Sequence, residues 1–333
     1  MNPLRCAIVG LGVGEQHAIA YSRDPRCVLV GLCDTDTSKR TEVGARFPGI
    51  PLYGSWQDLL ANAEANVVSI ASSDDAHTEQ IVGSLNQGIH VFAEKPLCQT
   101  ASELSAIRQA ISTSQRALLT NVILRMAPAF ASLKEMVQRG DLGTIYAFDG
   151  DYLYGRIHKI LSGWRSSIPL YSVIQGGAVH LIDLMHWVLG ERPESVRTHG
   201  NKIASRGTAF KFHDFTASTF LFPSGAIGRV TANFGCVHRH QHVVRVFGTE
   251  GTFISDALGP RVIRSRNGDV MLMGSKSALP DHKGNLIPDF LAAISQTPAE
   301  RMPQVESHIQ TTTLCLAADE SLLSGADVKI SYA

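Results

Sequence analysis

Net charge is absent from this sequence: 30 Lys and Arg balance 30 Asp and Glu over 333 residues, with no long run of like charge. Nucleic-acid or membrane-surface binding needs a basic patch or stripe, so neither partner is expected and a small molecule becomes the default. Long hydrophobic runs are missing too. No stretch approaches the roughly 20 apolar residues of a membrane span, and the first residues lack an apolar core with a small-residue cleavage site, so a cytoplasmic protein is expected. The six cysteines, at positions 6, 27, 33, 98, 236 and 315, form no C-x-x-C pair. Structural zinc, redox motifs and a disulfide framework are therefore not expected. At about 150 residues per domain the chain is long enough for two cores that need no staples.

The first 120 residues alternate short apolar runs with helical segments, the pattern of parallel βαβ units. Strands are expected at residues 6–10, 27–34, 66–72, 90–94 and 117–121, rich in Val, Ile and Leu as strands buried on both faces should be. Thr100 and Glu103 have the spacing of a capping box, and Ser55 and Asp58 form a weaker version. Gly88 and Gly140 stand where helices would end. After a helix over 127–139 the pattern changes. Segments 215–222, 226–234, 242–247 and 261–264 are separated by Gly-containing turns, as in an antiparallel meander, and helices are expected over 287–295 and 305–323. The fold class is α/β, with an N-terminal nucleotide-type domain over 1–121. An α+β domain with a large, mainly antiparallel sheet follows over 122–333.

Gly10-Leu11-Gly12-Val13-Gly14 directly follows the first strand and opens a helix. Glycines there allow a tight turn and close approach to a pyrophosphate at the helix N-terminus. The third glycine is displaced, since a strict G-x-G-x-x-G would place it at position 15. Asp34 ends the second strand 22 residues after Gly12, near the spacing of the acid that binds ribose hydroxyls. A carboxylate there repels a 2′-phosphate and favours NAD, while Lys39 and Arg40 leave NADP open. Ligands of open parallel sheets bind beyond the carboxyl ends of the strands, and Ser72, Lys95 and Asn121 also fall at those ends.

Residues 176–190 read as a helix apolar on nearly every face and hence buried. Its polar residues His180, Asp183 and His186 need partners. Tyr152, Tyr154 and Arg156 share a face of an extended segment and could stack on a sugar ring and hold an anionic group. An amphipathic strand explains them equally well. His238, His240 and His242 alternate on an expected strand. No carboxylate or cysteine accompanies them, so an exposed or interface strand is preferred to a substrate or anion contact, and both to a metal site.

Taken together, Gly10–His17, Ser72–His77, Glu94-Lys95-Pro96-Leu97, Gly163-Trp164-Arg165 and His180–Asp183 ending in Trp187-Val188-Leu189-Gly190 resemble the Gfo/Idh/MocA oxidoreductase family. The resemblance implies a Rossmann domain, a nicotinamide cofactor and sugar-like or cyclitol substrates. It places Gly10, Gly12, Val13, Gly14, Asp34, Ser72, His77, Glu94, Lys95, Asn121, Trp164 and Arg165 at the cofactor. Lys95 and His180 are implied as the catalytic pair, with Pro96 following a cis peptide. Many members have an aspartate four residues before the histidine, where this chain has Gly176; Asp183 or Tyr171 substitutes, or the pair works alone. Arg125, Tyr154, Arg156 and Tyr171, with Lys95 and His180, are the expected substrate contacts. A homo-oligomer, dimer or tetramer, is expected from the open face of the second sheet. Two other functions fit the motifs: a glycosidase-like member that oxidises transiently with bound NAD, and a non-catalytic nucleotide-binding sensor. Net neutrality is a cancellation. Residues 1–100 carry 7 basic and 11 acidic groups, and residues 151–250 carry 11 basic and 6 acidic groups, which suits an anionic sugar such as a uronate or a nucleotide-linked one.

Overall fold

The computed structural model describes residues 2–162, 164–274 and 277–332. The chain divides into two compact units. One is Met1–Val122 with Asp281–Ile309, and the other Ile123–Pro280 with Gln310–Ala333. The segment 281–309, which the sequence had suggested belongs to the second domain, thus packs with the first.

In the first unit β1 (Leu4–Val9), β2 (Cys27–Cys33), β3 (Leu52–Tyr53), β4 (Val67–Ile70), β5 (His90–Ala93) and β6 (Leu118–Thr120) form a sheet of order β3-β2-β1-β4-β5-β6. All its pairings are parallel. β4, β5 and β6 are buried at every residue, as strands covered on both faces must be. The crossovers are α1 (Gly14–Arg23), α2 (Thr37–Gly44), α3 (Trp56–Asn62), α4 (His77–Asn86) and α5 (Ala101–Ser114). The capping box forms at α5, where Thr100 Oγ1 accepts from Glu103 N and Glu103 reaches back to the Thr100 N–H. Ser55 caps α3 alone. Edge strand β3 was not expected; two residues carry no readable periodicity.

In the second unit α6 (Pro128–Gln138) precedes β7 (Ile145–Leu153), α7 (His158–Leu161) and α8 (Val179–Leu189). The remaining strands are β8 (Ser195–Asn201), β9 (Phe215–Leu221), β10 (Ile227–Asn233), β11 (Gln241–Gly248), β12 (Thr252–Asp256), β13 (Gly259–Ile263), β14 (Val270–Leu272) and β15 (Val328–Lys329). Their order is β14-β13-β12-β11-β7-β10-β9-β8-β15. Every pairing is antiparallel except β7 with β10. α8 lies against β7 so closely that a Cβ on Gly150 would meet Leu181 at 3.4 Å. All of α8 but Trp187 and Leu189 is buried, each large apolar side chain contributing about 1.5–3 kcal/mol.

α9 (Ile287–Ile294) belongs to the first unit because Phe290 packs on Phe92 of β5, ring centroids 5.4 Å apart. α10 (Pro298–Ser324) begins earlier than expected. Pro303 reads as a helix breaker, yet the helix starts before it at Pro298, after Thr297, whose hydroxyl and N–H donate to Glu300 Oε2.

Candidate active site

The glycine loop lies between β1 and α1. Gly10 has φ +85°, and a Cβ there would fall 2.4 Å from the Ala71 carbonyl oxygen, so backbone and space both demand glycine. Gly14 opens α1 against Ile8, whose Cγ2 would be 2.8 Å from an added Cβ. The third glycine therefore serves helix–strand packing from position 14. Beside Gly12 an added Cβ would meet nothing within 4 Å. That open side, next to exposed Val13 at the head of α1, is a cradle a pyrophosphate can fill. Asp34 braces the loop: Oδ2 accepts from Leu11 N at 2.7 Å and Oδ1 from Asp36 N at 2.9 Å. Arg40 reaches the Asp34 carbonyl oxygen and the Thr37 hydroxyl.

At the carboxyl end of β4, Ser72 Oγ donates to Gln80 Oε1 at 2.7 Å. His77 is fully buried, with Nδ1 2.7 Å from the Pro96 carbonyl oxygen and Nε2 3.2 Å from that of Ser72. It ties these two segments together rather than offering a free edge to a ligand. The Lys95–Pro96 peptide is cis. Half-buried Lys95 follows the carboxyl end of β5, next to Glu94, which accepts from Asn121 Nδ2 at 2.7 Å and lies 3.4 Å from His17 Nε2. Burial would raise the Glu94 carboxyl, but His17, Lys95 and Asn121 outweigh it and hold it at about 2. The same Asn121 nitrogen donates to the Lys283 carbonyl at 2.9 Å. Asn121 Oδ1 is buried with no hydrogen-bond partner among the described residues, an acceptor that an amide-bearing ligand would satisfy.

In the second unit, His180 sits in the first turn of α8, directly after a π-helical turn at Ile174–Ala178. Such turns are frequent at functional sites. Its ring stacks on Tyr152 at 6.3 Å and meets His242 edge-on at 5.9 Å. Tyr152 also contacts His240 and His242, each at 5.2 Å, and stacks on Tyr154 at 5.9 Å. Burial, with Tyr154 beside it, pushes the Tyr152 phenol above its ordinary value, which keeps it protonated. Arg156 lies 4.6 Å over the Tyr154 ring, its Nε buried and without a hydrogen-bond partner among the described residues.

Sequence reasoning preferred an exposed or interface strand for His240 and His242 to a substrate contact, yet His242 lies against His180 and His240 against His242. Since β11 begins at Gln241, His238 is exposed on the preceding loop, 2.7 Å from the Arg239 carbonyl. The three imidazoles thus do not share one strand face. Among the described residues no group of three His, Cys, Asp or Glu side chains is placed to hold a metal ion. Arg165 lies in the short 3-10 turn Trp164–Ser166; Gly163 and the Trp164 side chain fall outside the described residues.

Two expected site residues bind each other. Asp183, fully buried, accepts from Arg125 Nη2 at 2.5 Å and Nε at 2.9 Å, and from Thr311 Oγ1 at 2.7 Å. Burial would raise its carboxyl, but the Arg125 charge and the hydrogen bonds of His186 and Arg125 hold it well below the usual range. The helical spacing that suggested a partner for His180 instead turns Asp183 toward Arg125. The pair anchors α8, and the expected roles of Asp183 in proton transfer and of Arg125 in substrate binding give way to that. Tyr171 is also buried. An added Cβ on Gly176 would stand 2.5 Å from the Tyr171 hydroxyl. A phenol therefore occupies the space that a side chain four residues before His180 would fill.

Residues 4–122 match the model of an oxidoreductase family with an NAD-binding Rossmann fold, and residues 130–254 match the GFO/IDH/MocA C-terminal domain. The chain is 24% identical over 288 residues to levoglucosan dehydrogenase of Pseudarthrobacter phenanthrenivorans, covering 76% of this chain and 74% of that one. It is 24% identical over 312 residues to D-glucoside 3-dehydrogenase of Escherichia coli, covering 85% of each. An inositol dehydrogenase homolog of Azotobacter vinelandii, solved with NADH and myo-inositol, superposes with a TM-score of 0.84 at 19% identity over 98% of both chains.

Proposed function

The chain belongs to the Gfo/Idh/MocA oxidoreductase family, and from that premise we propose that it is an NAD-dependent dehydrogenase of a secondary alcohol on a sugar or cyclitol. The substrate class follows the named relatives, which act on levoglucosan and D-glucosides. Bound NAD would supply the hydride acceptor, with the backbone at Gly12 and the head of α1 holding its pyrophosphate and Asp34 its ribose hydroxyls. As the hydride leaves, the hydroxyl proton needs a base and the developing oxyanion a donor. His180 supplies the base and Lys95 the cation that holds the oxygen. Tyr171, filling the space beside Gly176, is the polar group that supports this segment in place of a carboxylate.

The observation that carries the reading is His180 at the start of α8, faced by Tyr152 and His242. Arg156, stacked on Tyr154 in the same ring cluster, favours a carboxylated sugar over its neutral parent. NADH formation across sugars, uronates, nucleotide sugars and cyclitols tests substrate class, and neutral sugars outcompeting their acids would remove the carboxylate preference. His180→Ala and Lys95→Ala should each lower kcat by at least about a hundredfold; near-wild-type turnover in both would overturn the assignment. The sheet face opposite α8 carries exposed Leu221, Ile227 and Leu272 around the Arg229, Arg245, Asp149 and Asp151 ion pairs. We assign it to contact with a second copy, to be checked by light scattering of Ile227→Glu, which should shift the mass toward monomer.

A further inference from the structure

His180 enters α8 from the π-helical turn Ile174–Ala178, a rare geometry, and side chains from other elements grip that turn. From the sheet, a Cβ on Gly177 would fall 2.5 Å from the Tyr152 ring and 2.7 Å from that of Phe234. Tyr152 is the ring that stacks on His180. From α10 comes half-buried Asp319, whose Oδ1 accepts from Ser172 Oγ at 2.7 Å and Oδ2 from Gln175 Nε2 at 2.8 Å. The same Ser172 hydroxyl accepts from Ile174 N at 3.1 Å and Gln175 N at 3.3 Å, and the Ser172 carbonyl oxygen accepts from Gly176 N at 2.8 Å. A hydroxyl has one proton to give and two lone pairs. With the proton committed to Asp319, both lone pairs face the amides that open the turn. The support is firm, because Leu314, Cys315, Ala317 and Ala318 of α10 lie in the same apolar core as Ile174 and Ala178.

We propose that Asp319 is a positioning residue for His180: through Ser172 and Gln175 it sets the π-turn, and with it the place of the imidazole against Tyr152. The role rests on the reading of His180 as the base. Hydrogen bonds to a carboxylate are stronger than those between neutral groups, so the two at Asp319 hold the turn better than a neutral acceptor of the same shape. A π-turn contains one residue more than an α-turn, and its full relaxation would rotate the start of α8 by about 100°. A far smaller shift is enough to matter, since misplacing a reacting group by about 1 Å can cost roughly a hundredfold in rate.

NMR of the NADH-saturated protein with isotope-labelled histidine nitrogens compares wild type, Asp319→Leu and Asp319→Asn, the His180 ring signals being those missing from His180→Gln. Asparagine is the conservative change: its oxygen still accepts from Ser172, and its amide nitrogen can donate to Gln175 once that amide turns over. Asp319→Leu should shift the His180 signals. It should also lower kcat about ten- to a hundredfold on whichever of myo-inositol, D-glucose and D-glucuronate is oxidised fastest, with KM within about threefold. Asp319→Asn should return the signals to their wild-type positions and kcat to within about threefold. A carboxylate that only stabilises the fold would lower Tm and leave both the signals and kcat per folded molecule unchanged. Should Asp319→Leu fail to fold, Ser172→Ala, which removes the bridging hydroxyl, is read in the same two ways. Unmoved His180 signals in the variant that folds, or losses that Asp319→Asn does not restore, overturn the proposal. Signals that move while His180→Ala turns over normally support the positioning and overturn only the assignment of His180 as the base.

Discussion

Asp183→Ala should be among the most destabilising single substitutions in the second unit, and Arg125→Met should largely rescue it. The side chains of Asp183 and Arg125 are 0% and 8% exposed, so removing the carboxylate strands a guanidinium away from water. Breaking a buried pair in this way costs about 3–5 kcal/mol, equivalent to a Tm drop of roughly 10 °C for a unit of this size. Replacing both partners with apolar groups removes the stranded charge, so the double variant should recover most of the loss. Thr311, which donates to Asp183 at 2.7 Å, keeps water as an alternative partner only if the site opens, which sets the residual cost. The pH dependence has a definite sign. Because the folded Asp183 carboxyl lies below its unfolded value of about 3.9, its contribution is complete above that pH and is lost as pH falls toward the folded value. Chemical denaturation of the two single variants and the double variant at pH 7 measures the coupling. A single-variant loss below about 1 kcal/mol, or a double variant no more stable than the sum of the singles, would refute the anchoring role.

Other positions separate binding from folding. Gly12→Ala should leave stability within about 1 kcal/mol of wild type, as its Cβ meets nothing, yet raise the Kd for NADH at least about tenfold in a fluorescence titration. Gly10→Ala, strained at φ +85° and facing the Ala71 carbonyl, should lose folded protein in a melt. Gly176→Asp should destabilise by about 1–3 kcal/mol through overlap with the Tyr171 hydroxyl, and adding Tyr171→Phe should recover part of it; equal melting of the two proteins would remove Tyr171 from that space. Asp319 accepts from Ser172 and Gln175 at 2.7 and 2.8 Å, and burial raises its carboxyl to about 6 despite both bonds. Stability from its protonated form is present below about pH 4 and lost as pH rises through 6, by about 3 kcal/mol. Asp319→Asn should flatten that slope in denaturation curves from pH 4 to 7.

Short-range features were legible from the chain alone. The glycine loop after β1, Asp34 at the end of β2, the Thr100–Glu103 cap and the switch from βαβ units to an antiparallel meander all depend on spacings within one element or one crossover. Backbone geometry and burial periodicity dictate those spacings locally. What folding alone decided lies between residues far apart in sequence. Arg125 claims Asp183 across 58 positions and Thr311 across 128, because a buried carboxylate takes the nearest strong donors wherever the chain brings them. Phe290 draws 281–309 onto the first unit. Pairing of β11 with β7 sets His242 opposite Tyr152, and the lack of a side chain at Gly176 becomes meaningful only beside Tyr171. A linear pattern shows which groups must find partners; packing in three dimensions chooses them.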